Sequence, residues 1–120
     1  MKKLVIVEDN EFNRDMLSRR LERNGFHILV AEDGKRGVEM IRQEKPDLVL
    51  MDMNVPEIDG WNATKIIKQD EATKNIPVIA LTSHAMAGDR ARALKAGCDE
   101  YESKPLDFSV LLKKIHQLLP

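Results

Sequence analysis

The chain has 120 residues, 42% of them apolar and 32% charged, which suits one globular domain and excludes a disordered segment or a pair of domains. Nineteen basic residues against twenty acidic ones leave a formal net charge of −1, so nucleic acid is not an expected partner. No apolar run nears the ~18 residues of a membrane span, and Met1-Lys2-Lys3 leads into a short apolar run without a cleavage site. Neither membrane nor export is expected. The chain is placed in the cytoplasm.

In chain order, Leu4 to Val7 predicts a first buried strand. Residues 11–24 predict a helix with Phe12, Met16, Leu17 and Leu21 on one side and Gly25 as its stop. Phe26 to Val30 gives a second strand, and Asp33 caps a helix over 34–44 that Pro46 ends. Leu48 to Met51 is a third strand; after a loop containing Pro56, Asp59-Gly60 opens a helix to about residue 69. Ile76 to Leu81 is a fourth strand with Pro77 at its entry, where a missing N–H is tolerated. The Ala-rich segment 86–96 is a helix ending at Gly97. Cys98, the only cysteine, cannot form an internal disulfide and reads as a small packed residue in a reducing compartment. Tyr101 anchors a weak fifth strand, and Asp107 caps a last helix with Leu111, Ile115 and Leu118 at helical spacing.

Five strands alternating with five helices predict an α/β fold, a doubly wound parallel sheet covered on both faces. Ligands of such sheets bind beyond the carboxyl ends of the strands. There, the first strand runs into Glu8-Asp9, the third into Asp52, the fourth into Thr82-Ser83 and the fifth into Lys104-Pro105. Taken singly, each is a turn former, cap or solvated side chain. Together they bring three carboxylates, a hydroxyl and an ammonium to one edge.

Carboxylates crowded within about 4 Å repel by roughly 4 kcal/mol per pair at an effective dielectric near 20, more than one lysine offsets. An oxygen-only ligand set of this size suits Mg²⁺. With Mg²⁺ and Lys104 neutralising phosphoryl oxygens and Thr82 donating a hydrogen bond, Asp52 is the expected nucleophile and an aspartyl phosphate the expected product.

At these residues the sequence resembles the receiver domain of two-component response regulators, over the whole of residues 1–120. The resemblance is carried by Glu8-Asp9, by LVLMD ending at Asp52, by NVPEIDG, by ALTS with Thr82, and by YESKP with Lys104. It implies the flavodoxin-like strand order 2-1-3-4-5, Mg²⁺ ligands from Glu8, Asp9, Asp52 and the backbone carbonyl of Asn54, and a cis bond before Pro105. It also implies a switch in which Thr82 moves toward the phosphate and Tyr101 turns in behind it. Asn54 and His84 fall where family members line the phosphoryl pocket and tune the lifetime of the phosphate. The first acidic position carries Glu8, one methylene longer than aspartate.

The implied partners are a histidine kinase or histidine phosphotransfer protein and a downstream protein on the face of helix four, strand five and helix five. The only catalysis implied is of the domain's own phosphorylation and dephosphorylation. A start at Met1 and an end after the fifth helix favour a stand-alone receiver over one excised from a hybrid sensor kinase. A small haloacid-dehalogenase-like phosphatase would also use a strand-end aspartate and Mg²⁺, but with a second aspartate as acid/base where this chain has Asn54. A flavodoxin-like ligand module is disfavoured by the lack of a phosphate-cradling glycine loop.

Overall fold

Side chains alternate from face to face along a strand, and here both sets are apolar, so the central strands can be buried only between two layers. In the computed structural model, which describes residues 1–83 and 88–119, that is what happens. The strands are β1 (Lys3–Val7), β2 (His27–Ala31), β3 (Leu48–Asp52), β4 (Val78–Thr82) and β5 (Glu100–Ser103). They pair in parallel in the order β2-β1-β3-β4-β5, the flavodoxin-like arrangement. The helices are α1 (Glu11–Arg23), α2 (Gly34–Glu44), α3 (Gly60–Gln69), α4 (Asp89–Ala96) and α5 (Phe108–Leu118). No helix among the described residues is long and apolar enough to cross a membrane.

Leu4, Ile6, Leu48, Leu50, Ile79 and Leu81 face one way and pack with Leu17 and Leu21 of α1 and Leu111 and Ile115 of α5. The intervening residues, Val5, Val7, Val49, Met51, Val78 and Ala80, face α2, α3 and α4. Trp61 of α3 belongs to this second layer. Cys98 is buried there too; burial pushes its thiol up to about 11, so it is a packed residue and not a reactive one.

Several boundaries differ from expectation. Strand β2 begins at His27, because Phe26 turns into the layer under α1 and α5. Strand β4 begins at Val78, with Pro77 contributing only its carbonyl, which accepts from the Val49 N–H at 2.9 Å. Helix α4 is described from Asp89; residues 86 and 87 of the expected helix lie outside the described residues.

Helix α1 also corrects the expected apolar stripe. Leu17 and Leu21 are buried, but Phe12 is 72% and Met16 46% exposed. Phe12 and Met16 are four apart and form a row of their own, about 100° around the helix from Leu17 and Leu21.

Close approach of α3 to the end of β3 depends on one glycine. A Cβ on Gly60 would lie 2.5 Å from the Asp52 carbonyl oxygen and 2.5 Å from Met53 Cα. Both are backbone atoms that no rotamer change can move. Gly60→Ala should therefore cost about 1–3 kcal/mol, the usual range for overpacking, and push apart the segments that flank Asp52. Urea unfolding checks this: an unchanged midpoint would mean that the helix shifts freely.

Candidate functional site

Register, not sequence proximity, assembles the site. Val7 pairs with Met51, so Glu8 and Asp52 leave adjacent strands side by side. Thr82 pairs with Ser103, and the Lys104 N–H donates to the Thr82 carbonyl at 2.7 Å, which brings Lys104 to the same edge. A cis peptide bond precedes Pro105.

Lys104 reaches across β4 to the carboxylates. Its Nζ donates to Glu8 Oε1 at 2.6 Å and to Asp52 Oδ2 at 3.1 Å. The other oxygens take backbone donors: Asp52 Oδ1 accepts from the Asn54 N–H at 3.0 Å, and Glu8 Oε2 from the Asn10 N–H at 3.2 Å. Glu8 and Asp52 are buried, with relative exposures of 3% and 5%, whereas Asp9 is exposed. One carboxylate oxygen from each of Glu8, Asp9 and Asp52 lies within 4.8 Å of the others, so the expected acidic cluster is present and fits a hard cation.

The charges are unbalanced. Burial raises the Glu8 carboxyl above its ordinary value; Lys104 opposes this, and Asp52 adds to it. Burial pulls Lys104 down, but the hydrogen bond to Glu8 and the charge of Asp52 outweigh it, and the ammonium titrates above its ordinary value. Burial beside a second carboxylate thus raises the acid despite its cation, and two carboxylates around one ammonium raise the base despite its burial.

Thr82 is buried at the end of β4. Tyr101 is half-buried against the layer of α2, α3 and α4; burial and the charge of Asp89 raise its phenol. Asn54 is exposed beside Asp52. His84 lies outside the described residues.

Some residues of the site were not singled out from the sequence. The Arg14 guanidinium donates to the carbonyl oxygens of Glu8 and Asp9, at 3.1 and 3.5 Å, and so fastens the acidic turn to α1. Its spacing of five and six from those acids was the only clue. A groove of about 450 Å³ opens from Glu8 and Lys104 along Met16, Arg20, Leu106 and Phe108, joining α1 to the start of α5. Residues so far apart in sequence leave no local pattern.

The response regulator receiver domain family matches residues 4–116. The chain belongs to that family. This receiver is 37% identical over 118 residues to the polar-differentiation response regulator DivK of Brucella anthropi, covering 98% of this chain and 96% of the relative. It is 38% identical, with the same coverage, to DivK of Brucella ovis. Among solved structures it is similar to the Francisella response regulator 1452 receiver domain, with a TM-score of 0.92 and 27% identity over 98% and 96% of the two chains. It is also similar to the receiver domain of sensor histidine kinase PA1611 from Pseudomonas aeruginosa, with a TM-score of 0.90 and 32% identity over 98% and 96%. That structure has a magnesium ion coordinated in the active site cleft. This receiver is a phosphoaccepting module of two-component signalling.

The geometry makes a stability prediction for metal-free protein. Lys104→Met should cost about 2 kcal/mol, below the ~3–5 of a fully buried broken pair because the lysine side chain is 18% exposed. Asp52→Asn should stabilise the wild type and recover part of the loss in the Lys104→Met background. The Glu8 carboxyl is raised in the folded state, so folded protein holds more protons than unfolded protein between the two values. Stability should accordingly rise as pH falls from neutrality toward the Glu8 range. A urea double-mutant cycle in chelator across that range measures all three effects; additive single effects would show that Lys104 and Asp52 do not interact.

Proposed function

We propose that Asp52 accepts a phosphoryl group from a phosphohistidine and that the state of Asp52 sets which protein the receiver binds. What carries this reading is the placement of Asp52: at the open end of the central strand, in one cluster with Glu8 and Asp9, and 3.1 Å from Lys104. An Asp52 carboxylate oxygen attacks phosphorus, its new O–P bond replacing the P–N bond to the donor imidazole, which leaves with the electron pair. Among the described residues Oδ1 and Oδ2 each have one protein donor, which leaves each acceptor capacity.

Mg²⁺, held by Glu8, Asp9, Asp52 and the backbone carbonyl of Asn54, would supply positive charge against the phosphoryl oxygens. Lys104 adds charge from the other side, already oriented by Glu8. Arg14 keeps the turn bearing Glu8 and Asp9 in place. The catalysis extends only to the receiver's own phosphorylation and dephosphorylation, in the cytoplasm, and Asn54 and His84 tune the lifetime of the phosphate.

The test is incubation with Mg²⁺ and acetyl phosphate, read by intact mass. Wild type should gain one phosphate, and Asp52→Asn none. Asp9→Ala should need more Mg²⁺ to reach the same level. Labelling of the Asp52→Asn protein would falsify the acceptor assignment.

The phosphodonor's surface is α1 with the neighbouring groove. Exposed Phe12 and Met16 share a groove on α1 with Asp15, Arg19, Arg20 and Arg23, Met16 also lining the groove that reaches Glu8, and this mostly basic surface fits a helical protein with apolar and acidic residues. Downstream partners use α4, β5 and α5. Exposed Leu94 and Val110 lie there, beside Arg90, Glu100, Glu102 and Lys114, which form ion pairs at 3.2 to 3.5 Å. Thr82 and Tyr101 link this face to the phosphate. Phe12→Ala with Met16→Ala should slow transfer from a phosphorylated histidine protein roughly thirty-fold, the size of one interface hot spot, and leave labelling by acetyl phosphate unchanged. Equal losses with both donors would place these residues in the chemistry instead of docking.

A further inference from the structure

Between α3 and α4 lies a groove of about 310 Å³ lined by Trp61, Asn62, Lys65, Arg92, Lys95 and Ala96. Its charged residues are all basic. Lys65 stands one turn after Trp61 on α3, and Lys95 one turn after Arg92 on α4, so the three cations come from two helices into one concavity.

Two features distinguish this groove from an ordinary solvated face. The first is the pairing of neighbouring cations. On the same two helices Lys68 meets Asp99 at 2.9 Å and Arg90 meets Glu100 at 3.5 Å. Among the described residues no carboxylate lies within ion-pair distance of Lys65, Arg92 or Lys95. The second is the support of Arg92. Its guanidinium carbon lies 4.1 Å from the centroid of Trp61, whose indole is buried with 9% exposure. Stacking on a ring fixed in the core holds the planar fork in place while leaving its N–H donors free for a ligand.

We propose that this groove binds a small phosphorylated anion carrying two or more negative charges. Three cations within one concavity favour a multiply charged ligand over a single carboxylate, and a held guanidinium matches the paired oxygens of a phosphate. A groove of about 310 Å³ has room for a small anion of this kind. None of Glu8, Asp9, Asp52 or Lys104 lines the groove, and the anion is bound there, not transferred. An anion bridging the two helices would tie α4 to α3, whose first turn rests on the end of β3.

The test uses the full chain in chelator at about 0.15 M salt, where weak surface attraction is screened. Inorganic pyrophosphate is titrated while amide and indole shifts and the fluorescence of Trp61, the only tryptophan, are followed. We expect saturation, with the largest shifts at Trp61, Lys65, Arg92 and Lys95. Lys65→Gln and Lys95→Gln, both exposed and checked for an unchanged urea midpoint, should each weaken binding roughly ten-fold. Asp52→Asn should bind pyrophosphate as wild type does, so failure here is distinct from failure of the acceptor assignment. A response that never saturates in the millimolar range overturns the proposal. So does a saturation that both glutamine variants leave unchanged. A response to a poly-glutamate peptide with none to pyrophosphate also overturns it, and marks the groove as a surface for an acidic protein.

Discussion

Lys104 between Glu8 and Asp52 is the constraint on which the site depends. Two buried carboxylates on neighbouring strands are tolerable only with a cation between them, and among the described residues the cation bonded to both comes from 52 and 96 residues away along the chain. Because it bonds both acids, Lys104 holds the ends of β1 and β3 to the segment that follows β5. One positive charge against two negative ones leaves the site electrostatically incomplete, and exposed Asp9 adds a third. The imbalance that burdens the fold also makes the site receptive to a cation. Stability and chemistry draw on the same three residues.

Parallel topology makes such a site inexpensive to assemble. Every strand of a parallel sheet ends at the same edge, so side chains just past the strand ends converge without any long loop to carry them. The body of each central strand is committed to two apolar layers, and only its last residue and those beyond are available for polar work. Met51 and Asp52 are successive residues, yet Met51 lies in the layer of α2, α3 and α4 while Asp52 bonds Lys104. The close fit of Gly60 against the backbone of Asp52 and Met53 brings α3 up to this transition.

The same layering distributes charge. Three acids cluster at the strand ends, while basic groups gather locally on helix surfaces: Arg19, Arg20 and Arg23 beside Asp15 on α1, and Lys65, Arg92 and Lys95 between α3 and α4. A net charge of −1 is thus an average over separated patches. It argues against a uniformly basic surface but is silent on local anion binding.

The alternation of apolar runs with amphipathic stretches determined the α/β class, and acids, hydroxyl and lysine placed just after those runs marked the strand ends as the site. Both are short-range signals, because strand and helix periods and cap residues are written within a few positions. Asp33, Asp59 and Asp107 cap helices as their positions implied. The strand order was legible only through family resemblance, since alternation by itself permits several orders. Tertiary structure alone decided that Phe12 and Met16 face solvent, that Arg14 turns back onto the acidic loop, and that Arg92 stacks on Trp61. Each of these depends on how a helix is rotated about its axis against the sheet. That rotation is set by the sum of side-chain packing across the interface, which no single stretch of sequence encodes.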